Sequence, residues 1–491
     1  MLRFASATIY HARNIPRWVL SFVCIFPLGA QNAVFMEPAG RLDTHQAEIT
    51  ENMPLFRVVD GAKYRPWLEN EAARRALRLY NQAYAILEAR GNPQRQPRDY
   101  YVALAPDANH AASGFRVQTT KGVEEHTGHA YILLDPSEPA FRGTLLHETG
   151  HVVMSMFAGG RILASADLTS IPHTTAALTN RATAFMEGWA IHLETLQAEL
   201  TQDPQERQRF HRNRIVFGED AFRTSEFFRA SSDLASYSQN LARYTEVREN
   251  HYAFEPAFKQ ADYLRVQLEK ARDFAALRDA NALVQSEGFV ASVFYLWLMR
   301  GSGTPGEDVI QARTERTLRA MDAMFASTKM TDDTPWLLAW VASYMKLFPD
   351  EKAALADAIT DLSHGVFVDA QARSMWRDHY LAALRLDRNG MNVPGLVAAR
   401  KKWREQVIAN PEALMSRLAP QLRCEVKSVS VKLEALGEAG PLVFDINTAP
   451  EGMLRLIPSL KEKQVLAWLQ GQPFASRESL ATALGTQPCI P

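Results

Sequence analysis

Leu145-Leu146-His147-Glu148-Thr149-Gly150-His151-Val152-Val153 decides how the rest of the chain is read. On a helix, His147 and His151 stand one turn apart on the same face, so both imidazoles can reach one metal ion. Glu148 sits beside them, able to accept a proton from a metal-bound water while staying out of the coordination shell. Leu145, Leu146, Val152, Val153, Met154, Met156 and Phe157 make this helix apolar on most sides, as a buried helix requires. The bland alternative is a core helix whose two histidines are satisfied by neighbours. Two histidines do not complete a site, so the reading turns on a third ligand.

Asp135-Pro136-Ser137-Glu138 signals the start of this helix, with Asp135 or Ser137 as N-cap, and Gly159-Gly160 ends it. Three short strands are expected before it, at about 99–105, 114–118 and 129–135. The loop carrying Lys121, Gly122, Glu124 and Glu125 makes a hairpin of the last two. Further upstream, Ala73, Leu77, Tyr80, Ala83, Ile86 and Leu87 recur at helical spacing over 69–90, and Gly91-Asn92-Pro93 stops that helix. Residues 34–70 read as an extended, Pro-punctuated lead-in.

Downstream, 180–200 reads as a second apolar helix containing Phe185-Met186-Glu187-Gly188-Trp189-Ala190. Positions 187, 190, 191 and 194 share a face, so Glu187 can point inward as the third ligand. Ser286-Glu287-Gly288-Phe289-Val290-Ala291 repeats the Glu-Gly-aromatic theme on another apolar helix, which makes Glu287 a rival. His173, in a loop, and His192, five positions from Glu187, are weaker candidates.

H-E-x-x-H followed by a helix Glu with a small neighbour resembles the active-site segments of the gluzincin-type zinc metallopeptidases. The resemblance implies one Zn2+ held by His147, His151 and Glu187, with Glu148 as general base. It also implies that an edge strand at 127–133 lines the cleft and pairs with an extended peptide substrate. Zincins place a Tyr or His near the metal to stabilise the oxyanion, and Tyr244, His251 and Tyr252 are eligible, with plain packing as their ordinary alternative. Several gluzincins carry an Asp four residues beyond the ligand Glu, whereas this chain has Ile191. A carboxylate behind a metal-bound His must then come from elsewhere, and Glu194 is the candidate.

The expected fold is mainly α with a small β-sheet (α+β). A zincin-like catalytic core spans 34–200 and a helical region over 201–420 completes the cleft, with breaks at Gly301-Ser302-Gly303-Thr304-Pro305-Gly306 and Asp332-Asp333-Thr334-Pro335. Residues 421–491 differ in character. Phe444-Asp445-Ile446-Asn447-Thr448-Ala449-Pro450, Ile457-Pro458-Ser459-Leu460 and the apolar residues after them resemble the helix-hairpin-helix-like unit of the type II secretion minor pseudopilin. Asn447-Thr448-Ala449 is expected to cap its first short helix, with Ile457 and Leu460 packing the turn. The turn Pro458-Ser459-Leu460-Lys461 has no glycine, and no basic cluster surrounds Lys461 and Lys463, so phosphate binding is disfavoured. A protein-contact or lid module is expected.

The 491-residue chain has 54 Lys and Arg against 55 Asp and Glu, a balance that excludes the basic excess of nucleic-acid binders. Arg3, Arg13 and Arg17 precede the apolar run 18–30, with no acidic residue before Glu37, the order of a secretory signal over 1–30. A mitochondrial-type presequence and a buried N-terminal helix are the alternatives. The run is too short to span a bilayer comfortably, so no stable transmembrane anchor is expected. Export would suit Cys424 and Cys489, which could close the C-terminal segment as one loop, although two unrelated thiols are the simpler case.

These observations lead to an exported, periplasmic or secreted zinc metallopeptidase acting on a peptide or protein substrate. The rival is a non-catalytic envelope assembly or secretion-associated protein, with a structural or vestigial zinc site and a C-terminal module that binds a protein partner. Glu148 favours the enzyme, because a structural site needs only ligands.

Overall fold

The computed structural model describes residues 33–40, 53–60, 64, 70–91, 99–106, 108–135, 141–159, 175, 177–202, 244–256, 272–327, 330–331, 333–387, 389–432 and 439–489. The expected signal at 1–30, the helix-start residues 136–138 and His173 lie outside them. Helix outweighs strand, 56% to 18%, so the chain is a helix-dominated mixed α/β protein.

Five strands close into a small barrel: β1 (Ala33–Pro38), β2 (Leu55–Val58), β3 (Tyr100–Leu104), β4 (Asn109–Thr119) and β5 (Gly122–Leu134), in the order β1-β2-β4-β5-β3. The lead-in is therefore a structural part of the core, since β1 and β2 come from it. β1 pairs antiparallel with β2 and parallel with β3, while β4 and β5 form the expected hairpin with longer arms. Side chains alternate between two cores. Met36, Phe56, Ala103, Phe115, Tyr131 and Leu133 fill the barrel, and Phe35, Val102, Leu104, Ile132 and Leu134 face the main helical core. Burial on both faces explains why 130–134 is an unbroken apolar run.

That run corrects one expectation. Strand β5 is interior at the end of the expected 127–133 edge, because Ile132, Leu133 and Leu134 pair with β3 on one side and with β4 on the other, whereas Ala130 and Tyr131 pair with β4 alone. The strand whose backbone meets the H-E-x-x-H helix is β4, where the Ala111 amide donates to Glu148.

Two long helices pack behind the barrel. α1 (Glu71–Ala89) begins at Asn70, whose side chain accepts from the Ala73 amide at 2.7 Å, and gives way to Gly91 at φ +70°. α2 (Phe141–Ala158) carries the H-E-x-x-H and is followed by Gly159 at φ +71°. α3 (Arg181–Leu200) starts at Asn180, which caps the Thr183 amide at 2.8 Å. After β6 (Phe254–Pro256) and β7 (Arg272–Leu277), α4 (Glu287–Met299) lies against α3. The β6–β7 pair interrupts a region expected to be helical throughout. α5 (Glu307–Ser327), α6 (Trp336–Leu347), α7 (Lys352–Leu362), α8 (Ala372–Leu384) and α9 (Val393–Ala409) follow, and their buried aromatics, Trp340 and Tyr344 among them, join the same core. Among the described residues no helix is long and apolar enough to cross a membrane.

The C-terminal module is a hairpin of β8 (Arg423–Lys432) and β9 (Ala439–Asp445) with three short helices, α10 (Glu451–Leu454), α11 (Glu462–Gly471) and α12 (Arg477–Leu484). Ile457 is buried and Leu460 packs beside the core, as expected for the turn. Asn447 does not cap α10, whose N-cap is Pro450. Instead its buried amide donates to the Pro420 and Phe474 carbonyls and accepts from the Phe474 amide, tying three segments together. A disulfide joins Cys424 to Cys489. The module is seated on the helical body: Gln285 donates to Asp445 at 2.7 Å and accepts from Thr448 at 2.9 Å, while Arg181 donates to the Ala419 carbonyl.

Candidate metal centre

Each wall of the site is set by a contact from α2. Thr149, facing the barrel, hydrogen-bonds the Tyr100 hydroxyl at 2.6 Å, and Glu148 Oε2 accepts the Ala111 amide at 2.7 Å. On the opposite side Gly150 admits α3: a Cβ there would lie 2.9 Å from Leu193 Cδ1 and 3.3 Å from Trp189. This close crossing brings Glu187 over the two histidines. α3 is pinned in turn by Gly188, where a Cβ would sit 2.6 Å from Val290 Cβ and 2.7 Å from the Glu287 carbonyl oxygen.

The three ligand atoms then converge. His147 Nε2 and His151 Nε2 are 3.1 Å apart, and Glu187 Oε2 lies 3.3 Å from the first and 3.5 Å from the second. A tetrahedral ion with bonds of about 2.0–2.1 Å has ligand-to-ligand edges of about 3.3 Å. The observed edges bracket that value. Among the described residues, His147, His151 and Glu187 are the one grouping of His, Cys, Asp and Glu able to hold a metal ion. The set does not include Glu287, which is buried at the first turn of α4. Its neighbour Gly288 has a packing role, since a Cβ there would run into the Tyr252 ring and the Thr175 carbonyl.

Glu194 stands behind His147, with Oε1 2.6 Å from Nδ1. Two turns beyond Glu187 on the same face, it occupies the supporting place for which Ile191 has no carboxylate. Tyr244 donates its hydroxyl to Glu194 Oε2 at 2.9 Å. The result is a file of Tyr244, Glu194 and His147 that fixes the ring and directs Nε2 to the ligand cluster. Burial would pull the His147 pKa down, but Glu194, Glu187 and Glu148 more than offset it and hold the imidazole well above its ordinary value. Burial also pushes Glu148 up; His147, His151 and the Ala111 amide counter this without cancelling it, and Glu187 adds to it.

The aromatic residues singled out between 244 and 252 fall elsewhere than on the open face of the cluster. Tyr244 reaches the site only from behind, through Glu194. His251 Nε2 pairs with Glu249 at 2.9 Å, and its ring meets Phe274 edge-on. Tyr252 is buried against Gly288. His192 belongs to the core, packed at a tilt between Trp189 and Phe294 and bonded to the Trp189 carbonyl, and burial pulls its pKa down to about 3. Sequence reasoning missed the Ala111 amide and the Thr149–Tyr100 anchor. Only the small residue between Glu148 and His151 hinted at the tight crossing at Gly150.

In comparisons with known protein families, with curated proteins and with solved structures, nothing matches this chain.

Proposed function

We propose that the protein is a zinc-dependent peptidase. The observation that carries this reading is a ligand triangle with edges of 3.1, 3.3 and 3.5 Å, with a separate buried carboxylate, Glu148, beside it and bonded to a strand amide. The donor set of two imidazoles and one carboxylate suits Zn2+ and leaves a fourth position open. Bound there, Zn2+ supplies Lewis acidity, making a coordinated water acidic near neutral pH and polarising a carbonyl.

Glu148 takes the water's proton and returns it to the departing amine. Strand β4 pairs with β2 only at Arg116, Val117 and Gln118, so its earlier residues, beside the Ala111 amide that Glu148 holds, offer an extended peptide a backbone edge. The disulfide between Cys424 and Cys489 supports an oxidising compartment, in line with export.

Glu148→Gln tests the reading. Zinc content should stay at one per chain while hydrolysis across a peptide library falls about 10²–10⁴-fold. A zinc-loaded native chain that cleaves no peptide in such a library would overturn it and favour a structural metal site.

A further inference from the structure

Asn389-Gly390 is the one Asn-Gly pair in the chain. It lies in the turn between α8 and α9, and both residues are exposed. Asparagine is chemically labile, and most of the described asparagines have their side chains tied down. Asn70, Asn180, Asn392 and Asn410 hold theirs on backbone amides at helix starts. Among the described residues the Asn389 side chain has no such hold. Only its backbone amide is bonded, to Asp387 Oδ1 at 3.0 Å.

The next residue brings a nucleophile and a base together. The Gly390 amide donates to the same Asp387 oxygen at 3.1 Å. A Cβ on Gly390 would lie 2.7 Å from Asp387 Oδ2 and 2.9 Å from the Ala382 Cβ, so a residue with a side chain would not approach this closely. A backbone nitrogen attacks a carbonyl carbon only as its proton leaves, and the Asp387 carboxylate already holds that proton. Attack on the side-chain carbon of the residue just before it closes a five-membered ring, and glycine has no Cβ to oppose the twist this closure needs.

We propose that Asn389 deamidates spontaneously in the folded protein, with Asp387 as the group that takes the Gly390 proton. The Gly390 nitrogen bonds to Asn389 Cγ, the Cγ–Nδ2 bond breaks, and the proton passes by way of Asp387 to Nδ2, which leaves as ammonia. Water then opens the cyclic imide at either carbonyl, giving aspartate at 389 or an isoaspartate whose backbone runs through the former side chain. Each event adds one negative charge beside Asp387, and the isoaspartate form lengthens the connection between α8 and α9 by one backbone atom. The inference is independent of the zinc site.

The full chain is incubated near neutral pH in water enriched in oxygen-18, then digested, and the peptide holding residue 389 is weighed. Conversion during the incubation takes up one heavy oxygen and adds about 3 Da, against about 1 Da for conversion in later handling. Asn389→Gln should slow it about tenfold or more, because the longer side chain loses the favourable ring closure. Asp387→Asn keeps a hydrogen-bond acceptor but removes the base, and should slow it about tenfold, short of the 10²-fold typical of an evolved base. In urea, where the turn is gone, the native chain and Asp387→Asn should convert alike. These positions are exposed, and an unchanged melting temperature shows that each variant is folded. An Asn389 that stays intact in the folded chain while the unfolded chain converts would overturn the inference. So would conversion spread evenly over the other asparagines, or an Asp387→Asn variant that converts at the native rate.

Discussion

Glu194 has no ligand atom in the cluster, yet its carboxylate sets the angle at which His147 meets a metal. Glu194→Ala should weaken zinc affinity about 10–100-fold, measured by competition against a chromophoric chelator. Tyr244→Phe removes only the hydroxyl that steadies Glu194, a bond worth about 1 kcal/mol, so affinity should fall about fivefold. If Tyr244 instead stabilised an oxyanion, the same substitution would spare zinc affinity and lower kcat alone. Glu194 was legible because 187 and 194 lie two turns apart on one helix face. The role of Tyr244 was not, since it depends on where a segment fifty residues away comes to rest. The spacing of His147 and His151 is local and carried its geometry intact into the structure.

At the level of elements, the site depends on how closely α2, α3 and α4 approach. Gly188→Ala puts a methyl against a backbone carbonyl and Val290, groups that cannot swing aside. It should cost about 1–3 kcal/mol in thermal unfolding and reduce zinc occupancy by shifting Glu187. Gly150→Ala should be milder, because its nearest neighbour is the far end of Leu193. Helix stops were readable from Gly91 and Gly159, where one residue takes the left-handed turn. The barrel was not. β1 and β2 are short, and their parallel partners β3 and β4 lie far along the chain, so periodicity within either segment is silent about the pairing. The apolar run at 130–134 was recognised as strand, but nothing within it marks Ile132 as the point where β3 joins and the strand ceases to be an edge.

For the molecule as a whole, buried His192 and half-buried His364 both lower stability in acid. Burial pulls His192 down to about 3 and His364 down to about 4, the latter despite Asp361. Unfolded imidazoles titrate near 6.5, so below that pH the unfolded chain binds protons that the folded chain refuses. The contribution of these two rings is therefore full above pH 6.5 and declines as pH falls toward the depressed values, by up to about 1.4 kcal/mol per pH unit for each ring. In urea melts from pH 7 to pH 4.5, His192→Asn should lose less stability with acid than the native chain, whatever it does to the stability at pH 7.

The bond between Cys424 and Cys489 also decides how the molecule bears load. Tension applied at the C-terminal end passes through it directly into strand β8, so α10, α11 and α12 carry none while the bond is intact. In a single-molecule pull the 65-residue loop should stay hidden from the force trace. Reduction should then release about 230 Å of extra contour length, at roughly 3.5 Å per residue.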